Sequence, residues 1–199
     1  GRILHTDAQD PRAAAHAASK KWGQAIDDYS EASRLDPENP SFYRLRAEAY
    51  VALERYDEAL PDWNRCVALK PDDTVAALIR AEVVLLAGRT DEYREACAAM
   101  LHRFGQLDRA GQLAETARAC LLSPEGASDP AVPLELAKQA VAKQPKMPRM
   151  HYALGMAYYR AGRYEEASKC FHSALEIGPQ WQARHVSWLG LAMASYQSG

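Results

Sequence analysis

Sheet-forming residues are scarce in this 199-residue chain: Val and Ile together number 12 and Phe 3, against 37 Ala and 20 Leu. Straight-chain residues lose little rotamer freedom in a helix, whereas β-branched and aromatic residues favour strands, so the composition points to an all-α fold. No stretch approaches 18 consecutive apolar residues, the length of a spanning helix, and no basic-then-apolar leader opens the chain. Neither sign of charge dominates: 24 Lys+Arg face 26 Asp+Glu, for a net charge of −2. Such a balance gives no field for nucleic acid or anionic lipid, and neither is expected as a partner. The expected location is cytoplasmic. The chain starts at Gly1 rather than Met, which suggests a fragment of a larger protein.

Motifs for metal, cofactor and catalysis are also missing. Cys66, Cys97, Cys120 and Cys170 include no CxxC pair, and the six histidines form no HExxH, so no metal or cofactor is expected. Each cysteine lies in an apolar, helix-like stretch where a free thiol packs as a small hydrophobe. Adjacent acids (Asp27-Asp28, Asp72-Asp73, Glu165-Glu166) sit at helix starts or on exposed faces, where they complement the positive helix end. The serines have no nucleophile-elbow context, and Gly88 and Gly162 read as turn glycines rather than a phosphate loop. An enzyme is not expected.

What is present is a repeat. The positions Trp22, Ala25, Tyr29, Ala32 and Pro37 recur 34 residues later as Tyr56, Ala59, Trp63, Cys66 and Pro71, and again as Tyr164, Ala167, Phe171, Ala174 and Pro179. The fullest copy, Pro148 to Trp181, adds His151, Leu154, Gly155 and Tyr158 upstream. Small residues at fixed places let two helices approach closely, large ones fill the space between them, and Pro stops the second helix. Asp10-Pro11 and Asn39-Pro40 each set a capping side chain before a Pro at the first helical position. Pro61 falls near the start of a helix opening at about Asp57, where one lost hydrogen bond is tolerable.

The register slips once. Pro71 to Pro145 spans two periods plus six residues. Three extra residues are expected in the turn at Gly88-Arg89-Thr90-Asp91 and three in the loop Ser123–Pro130, with Pro133 standing where the repeat wants Ala. The repeats then run over about 6–39, 40–73, 74–110, 111–147 and 148–181, followed by one helix at 182–197.

This spacing resembles the tetratricopeptide repeat, and residues 6–181 resemble an array of it. The run from Leu86-Ala87-Gly88 through Tyr93–Cys97, Ala117–Cys120 and Leu136-Ala137 to His151–Gly155 further resembles the C-terminal repeat segments of large bacterial proteins, planctomycete ones among them, that carry a serine/threonine kinase or WD-type propeller upstream. The resemblance implies a right-handed α-solenoid with a concave face that binds a peptide or partner domain. First helices line that face, and the matching positions are Arg149, Tyr152, Met156 and Tyr159 in the fifth repeat and Arg44 and Glu48 in the second. Arg, Met and aromatic residues are enriched at binding surfaces. The Lys/Asn clamp by which some family members hold an acidic C-terminus is missing: its positions carry Asp10, Ala14, Leu45, Val75 and Ile79. The alternative function is a structural spacer or self-association module attached to a kinase-like catalytic domain.

Charge is uneven along the chain, from 10 basic and 14 acidic residues over 1–73 to five basic and three acidic over 148–199. The last helix carries Val186, Trp188, Leu189, Leu191, Met193 and Tyr196. Terminal helices of repeat proteins are usually polar on the outside, so this one is expected to expose apolar surface and to support a homodimer.

Overall fold

A computed structural model describes residues 21–181 and 184–198, and every regular element among them is a helix. In chain order these are α1 (Trp22–Leu35), α2 (Pro40–Ala52), α3 (Tyr56–Leu69), α4 (Thr74–Leu86), α5 (Thr90–Phe104), α6 (Ala110–Leu121), α7 (Ala131–Lys143), α8 (Pro148–Arg160), α9 (Tyr164–Ile177) and α10 (Arg184–Ser198). A short 3-10 turn, Pro124–Gly126, lies between α6 and α7. The first helix of the first repeat, with Asp10-Pro11, falls outside the described residues, as do Gln182 and Ala183 at the expected start of the last helix. The chain divides into two compact units, residues 1–89 and 90–199.

In the first unit each helix packs on its neighbour in sequence. The slots read from the repeat form its interior: Ala25, Tyr29, Ala59 and Trp63 are all at most 1% exposed. Helix starts follow the expected capping chemistry. The Asn39 side chain accepts from Ser41 N at 3.1 Å with Pro40 at the first position, and Asp73 accepts from Val75 N and Ala76 N at 3.0 Å. Pro61 lies inside α3, five residues beyond its first residue, and the helix continues through it.

One polar group in this unit has no counterpart in the repeat pattern. Arg46 of α2 donates to both oxygens of Asp62 of α3, at 2.7 and 2.6 Å, and its Nη1 donates to Ser30 and Ser33 Oγ of α1 at 3.0 and 3.1 Å. The Asp62 side chain is 5% exposed and that of Arg46 19%. Asp62 holds the Arg46 guanidinium above its usual pKa through these bonds. The fork geometry satisfies a carboxylate that would be costly to bury alone.

In the second unit α8 is the central helix, touching α6, α7, α9 and α10. Phe171 of α9, fully buried, sits between two glycines. A Cβ at Gly155 of α8 would lie 2.6 Å from its ring, and a Cβ at Gly190 of α10 would lie equally close. The small slot at Gly155 thus exists for the Phe171 ring, and α10 repeats the device from the other side.

The register slip lies in part where the sequence predicts: the loop expected at Ser123–Pro130 is present as the long connection 122–130, but the turn at Gly88 is not lengthened. The connection 87–89 has the same three residues as 53–55 and 161–163, and α5 starts 34 residues after α3. Gly88 and Gly162 occupy equivalent left-handed positions in these turns, at φ 73° and 71°. No insertion therefore lies at Gly88–Asp91. The extra residues fall in α5 and in the segments 105–109 and 122–130 that flank α6. As a result Tyr93, not an alanine, stands where α3 has Ala59, and its buried hydroxyl donates to Ala119 O at 2.7 Å and accepts from Ser123 N at 3.1 Å. Pro133 occupies its expected small slot, fully buried.

Candidate functional site

Residues three, four and seven apart share one helix face, and Arg149, Tyr152, Met156 and Tyr159 form such a stripe along α8. Its first half faces α6. The Arg149 Nη2 lies 3.5 Å from where a Gly111 Cβ would stand, so α6 presents only a hydrogen to the guanidinium. Seven residues on, the Arg118 guanidinium lies 5.8 Å from the centre of the Tyr152 ring, within cation–π range. The ring's other sides meet Phe171 at 6.0 Å and Trp181 at 5.9 Å between centroids. Tyr152 is therefore held on three sides while remaining partly exposed.

Tyr152, Met156 and Tyr159 all pack against the cluster of Ala167, Phe171, Leu191 and Ala194, to which α10 contributes the last two, and all three stay partly exposed. Tyr159 also meets Tyr164 in a tilted ring contact, with centroids 5.5 Å apart and planes at 58°. Arg44 and Glu48, in the first unit, form an exposed i,i+4 pair at 2.7 Å, each side chain 45% exposed. They neutralise one another. The structure thus brings Arg149 and Tyr152 together with Gly111, Arg118 and Trp181.

The charges on this face are unequal. Glu115, 8% exposed at its side chain, accepts from Arg118 Nη1 at 2.7 Å. Among the described residues five arginines are half-buried: Arg46, Arg65, Arg80, Arg118 and Arg149. The first four donate to Asp62, Glu38, Asn64 and Glu115 respectively. The Nε of Arg149 is buried with no hydrogen-bond acceptor. An N–H removed from water without an acceptor costs about 1–3 kcal/mol, and more when charged.

A second cluster lies within the second unit beneath the 122–130 segment. Cys97 and Cys120 meet there, 23 residues apart in sequence, beside Tyr93 and Ala119 O. A hydrogen bond from Cys120 lowers the Cys97 pKa and raises that of Cys120, and burial lifts the Tyr93 hydroxyl. Gly126 closes over the cluster where any Cβ would clash, 2.3 Å from Cys120 O and 2.4 Å from the Tyr93 hydroxyl. Arg160 of α8 donates to Leu121 O and Leu122 O at 3.0 and 2.8 Å, capping the end of α6. These contacts tie the segment down. Open cavities of about 410 and 300 Å³ flank it, and one of 460 Å³ lies between the 105–109 connection and α7. Among the described residues no three or more His, Cys, Asp or Glu side chains come together in a way that could hold a metal ion. No helix among them is long and apolar enough to cross a membrane.

Antiparallel helix pairs with recurring small and large slots define a helical-repeat protein of the α-solenoid class. Two models described as tetratricopeptide repeat match the sequence, one over residues 12–84 and one over 148–181. Together they take in more than half of the chain, which belongs to the tetratricopeptide-repeat family. No curated protein matches the sequence. Among solved structures the chain is similar to MamA from Desulfovibrio magneticus RS-1, at TM-score 0.56 and 16% identity over 86% of this chain and 93% of that one. It is also similar to PilW, a type IV pilus biogenesis factor, at TM-score 0.60 and 19% identity over 93% and 86%. Human IFIT1, solved as a dimer with PPP-AAAA, aligns at TM-score 0.62 and 19% identity over 90% of this chain and 43% of its own. Repeats of this family are scaffolds for protein–protein interaction, generally without catalysis.

Proposed function

We propose that this chain is a non-catalytic interaction module that holds a peptide or partner domain on the α6/α8 face. One observation carries the reading: Arg149, Tyr152 and Arg118 form a cation–aromatic–cation row across two adjacent helices. Tyr152, fixed by Phe171 and Trp181, offers contact area at small entropic cost, which is what an interface anchor needs. Arg44 and Glu48 contribute less, because an exposed i,i+4 pair already satisfies both charges. The test is affinity capture from native lysate with the wild type and with an Arg149→Glu, Tyr152→Ala double variant. Partners retained by the wild type and lost from the variant, with unchanged circular dichroism, support the reading. Equal capture by both overturns it.

A second reading, self-association beside a catalytic domain, is favoured by α10. Its Trp188, Leu189 and Tyr196 are 60%, 61% and 85% exposed, a run of large apolar side chains on one short helix. A second copy of the chain, docking α10 on α10, would cover them. Sedimentation across a concentration series tests this: a dimer abolished by Trp188→Glu is expected, and a monomer at all concentrations rejects it. Attachment to a kinase or propeller rests on the sequence resemblance alone.

A further inference from the structure

The two guanidiniums beside Tyr152 differ in what they already hold. Arg118 commits Nη1 to the buried Glu115, and that pair is neutral. Among the described residues Arg149 has no carboxylate partner, and its Nε is buried from water with no hydrogen-bond acceptor. Gly111, across from it, leaves the approach to its Nη2 clear of side chain. Arg46, Arg65 and Arg80, the other half-buried arginines among the described residues outside this face, each have hydrogen-bond acceptors within the fold. Arg149 is thus a partly desolvated cation whose counter-charge the described residues do not supply.

From this we infer that the α6/α8 face recognises an acidic side chain, Asp or Glu, within a protein segment, and that Arg149 is the residue that pairs with it. The inference rests on the proposed partner-binding role of this face and names its chemistry. A carboxylate beside Gly111 receives charge-assisted hydrogen bonds from the terminal Nη groups of Arg149, its Nε being closed to solvent, while the flanking part of the segment lies on the Tyr152 ring. Desolvation of Arg149 is already met in the fold, so the incoming carboxylate gains more than it would at an exposed cation. The number of charges decides against a polynucleotide. Nucleic-acid affinity is built from several phosphate contacts, about 6–10 in a typical site, and this face has one cation without a counter-charge. Residues 90–199 as a whole carry a basic excess of only one, too small to supply the rest: 12 Lys+Arg stand against 11 Asp+Glu.

The experiment is selection of a random peptide library displayed on phage against the immobilised full chain, followed by fluorescence anisotropy of synthetic peptides. Selected peptides should be enriched in Asp or Glu over the input library. Replacing the enriched Glu by Gln, or Arg149 by Gln in the protein, should each weaken binding about tenfold, and the two together little more than either. Arg149→Glu should restore binding of a peptide in which that Glu is replaced by Lys. Peptides that depend on Tyr152 but tolerate Glu→Gln overturn the acidic inference and leave the binding face intact. Peptides indifferent to both Tyr152→Ala and Arg149→Gln overturn the face itself. Displacement of the selected peptide by a 15-nucleotide oligoadenylate at equal concentration overturns the choice of protein over nucleic acid.

Discussion

Replacing Gly155 by Ala should destabilise the second unit, although Ala is the better helix former. Inside a helix Ala is favoured over Gly by about 1 kcal/mol. Here the added Cβ would stand 2.6 Å from Phe171 Cε1 and 2.7 Å from Cδ1. Carbon–carbon contacts are most favourable at about 3.5–4.0 Å, so the ring or the helix must yield by roughly 1 Å. The ring cannot. It is fully buried, and Gly190 on its far side is just as close, a Cβ there falling 2.6 Å from Phe171 Cζ. Relief then requires α8 to move off α9, which loosens the contacts of the central helix. Overpacking of this kind costs about 1–3 kcal/mol, leaving a net loss of about 1–2 kcal/mol after the gain in propensity. In thermal unfolding followed by calorimetry, the transition of the second unit should fall by about 3–6 °C. Gly23→Ala is the control: it meets no atom within 4 Å, and should raise stability by a few tenths of a kcal/mol. Phe171→Leu combined with Gly155→Ala should be clearly less than additive, because the clash partner is gone. If Gly155→Ala stabilises as Gly23→Ala does, the close approach at Phe171 is not what the fold requires, and the reasoning fails.

Three further outcomes are expected. Asp62→Ala leaves the Arg46 guanidinium partly buried beside two hydroxyls, and should cost about 2–4 kcal/mol in urea unfolding; a loss below half a kcal/mol would mean the pair is dispensable. Glu54 holds a left-handed φ of 58° at the position equivalent to Gly88 and Gly162, so Glu54→Gly should raise stability by about 1 kcal/mol, read as a higher urea midpoint with unchanged slope. Burial raises Cys66 and Cys170 to about 11, above the usual thiol value of about 8.5. The folded chain therefore keeps protons that the unfolded chain loses, and stability should hold up to about pH 8.5 and decline toward pH 11. Cys66→Ala, which restores the residue found at the equivalent Ala32 and Ala174, should flatten that decline in a melting series across pH; an unchanged slope would contradict it.

Much of the fold was legible because the repeat constrains it twice, once through the small slots and once through the large ones. Ala25, Ala59 and Ala167 are all buried as their spacing requires, on the same helix faces as Tyr29, Trp63 and Phe171. Asn39 caps α2 as its place before Pro40 predicts. Periodicity identifies the buried face of each helix but not which polar groups meet inside it. Arg46 and Asp62 are 16 residues apart, and Cys97 and Cys120 are 23 apart; no short motif joins either pair. The part of the slip expected at Gly88–Asp91 was misplaced for a related reason: Tyr93 and Ala96 are both apolar enough for the interior, and both are buried, so hydrophobic pattern alone could not fix the register. Equivalent turns could, and Glu54, Gly88 and Gly162 do so through their shared left-handed backbone. On the candidate face, Arg149 and Tyr152 were visible from their places in the repeat. Arg118 was not, since it becomes part of the face only when α6 is laid beside α8. Nor could the sequence reveal that Leu191 and Ala194 of α10 join Ala167 and Phe171 in the cluster on which Tyr152, Met156 and Tyr159 pack.

The central claim is that partners engage the α6/α8 face beside Arg149 and Tyr152. Amide chemical-shift mapping of the full chain, titrated with a peptide chosen by selection, tests it directly. The account predicts that the largest shifts fall at Gly111, Arg118, Arg149 and Tyr152, with little change at Arg44, Glu48 or the outer face of α10. Shifts centred on residues 122–130, or on Trp188 and Tyr196, with Arg149 and Tyr152 unmoved, would contradict it.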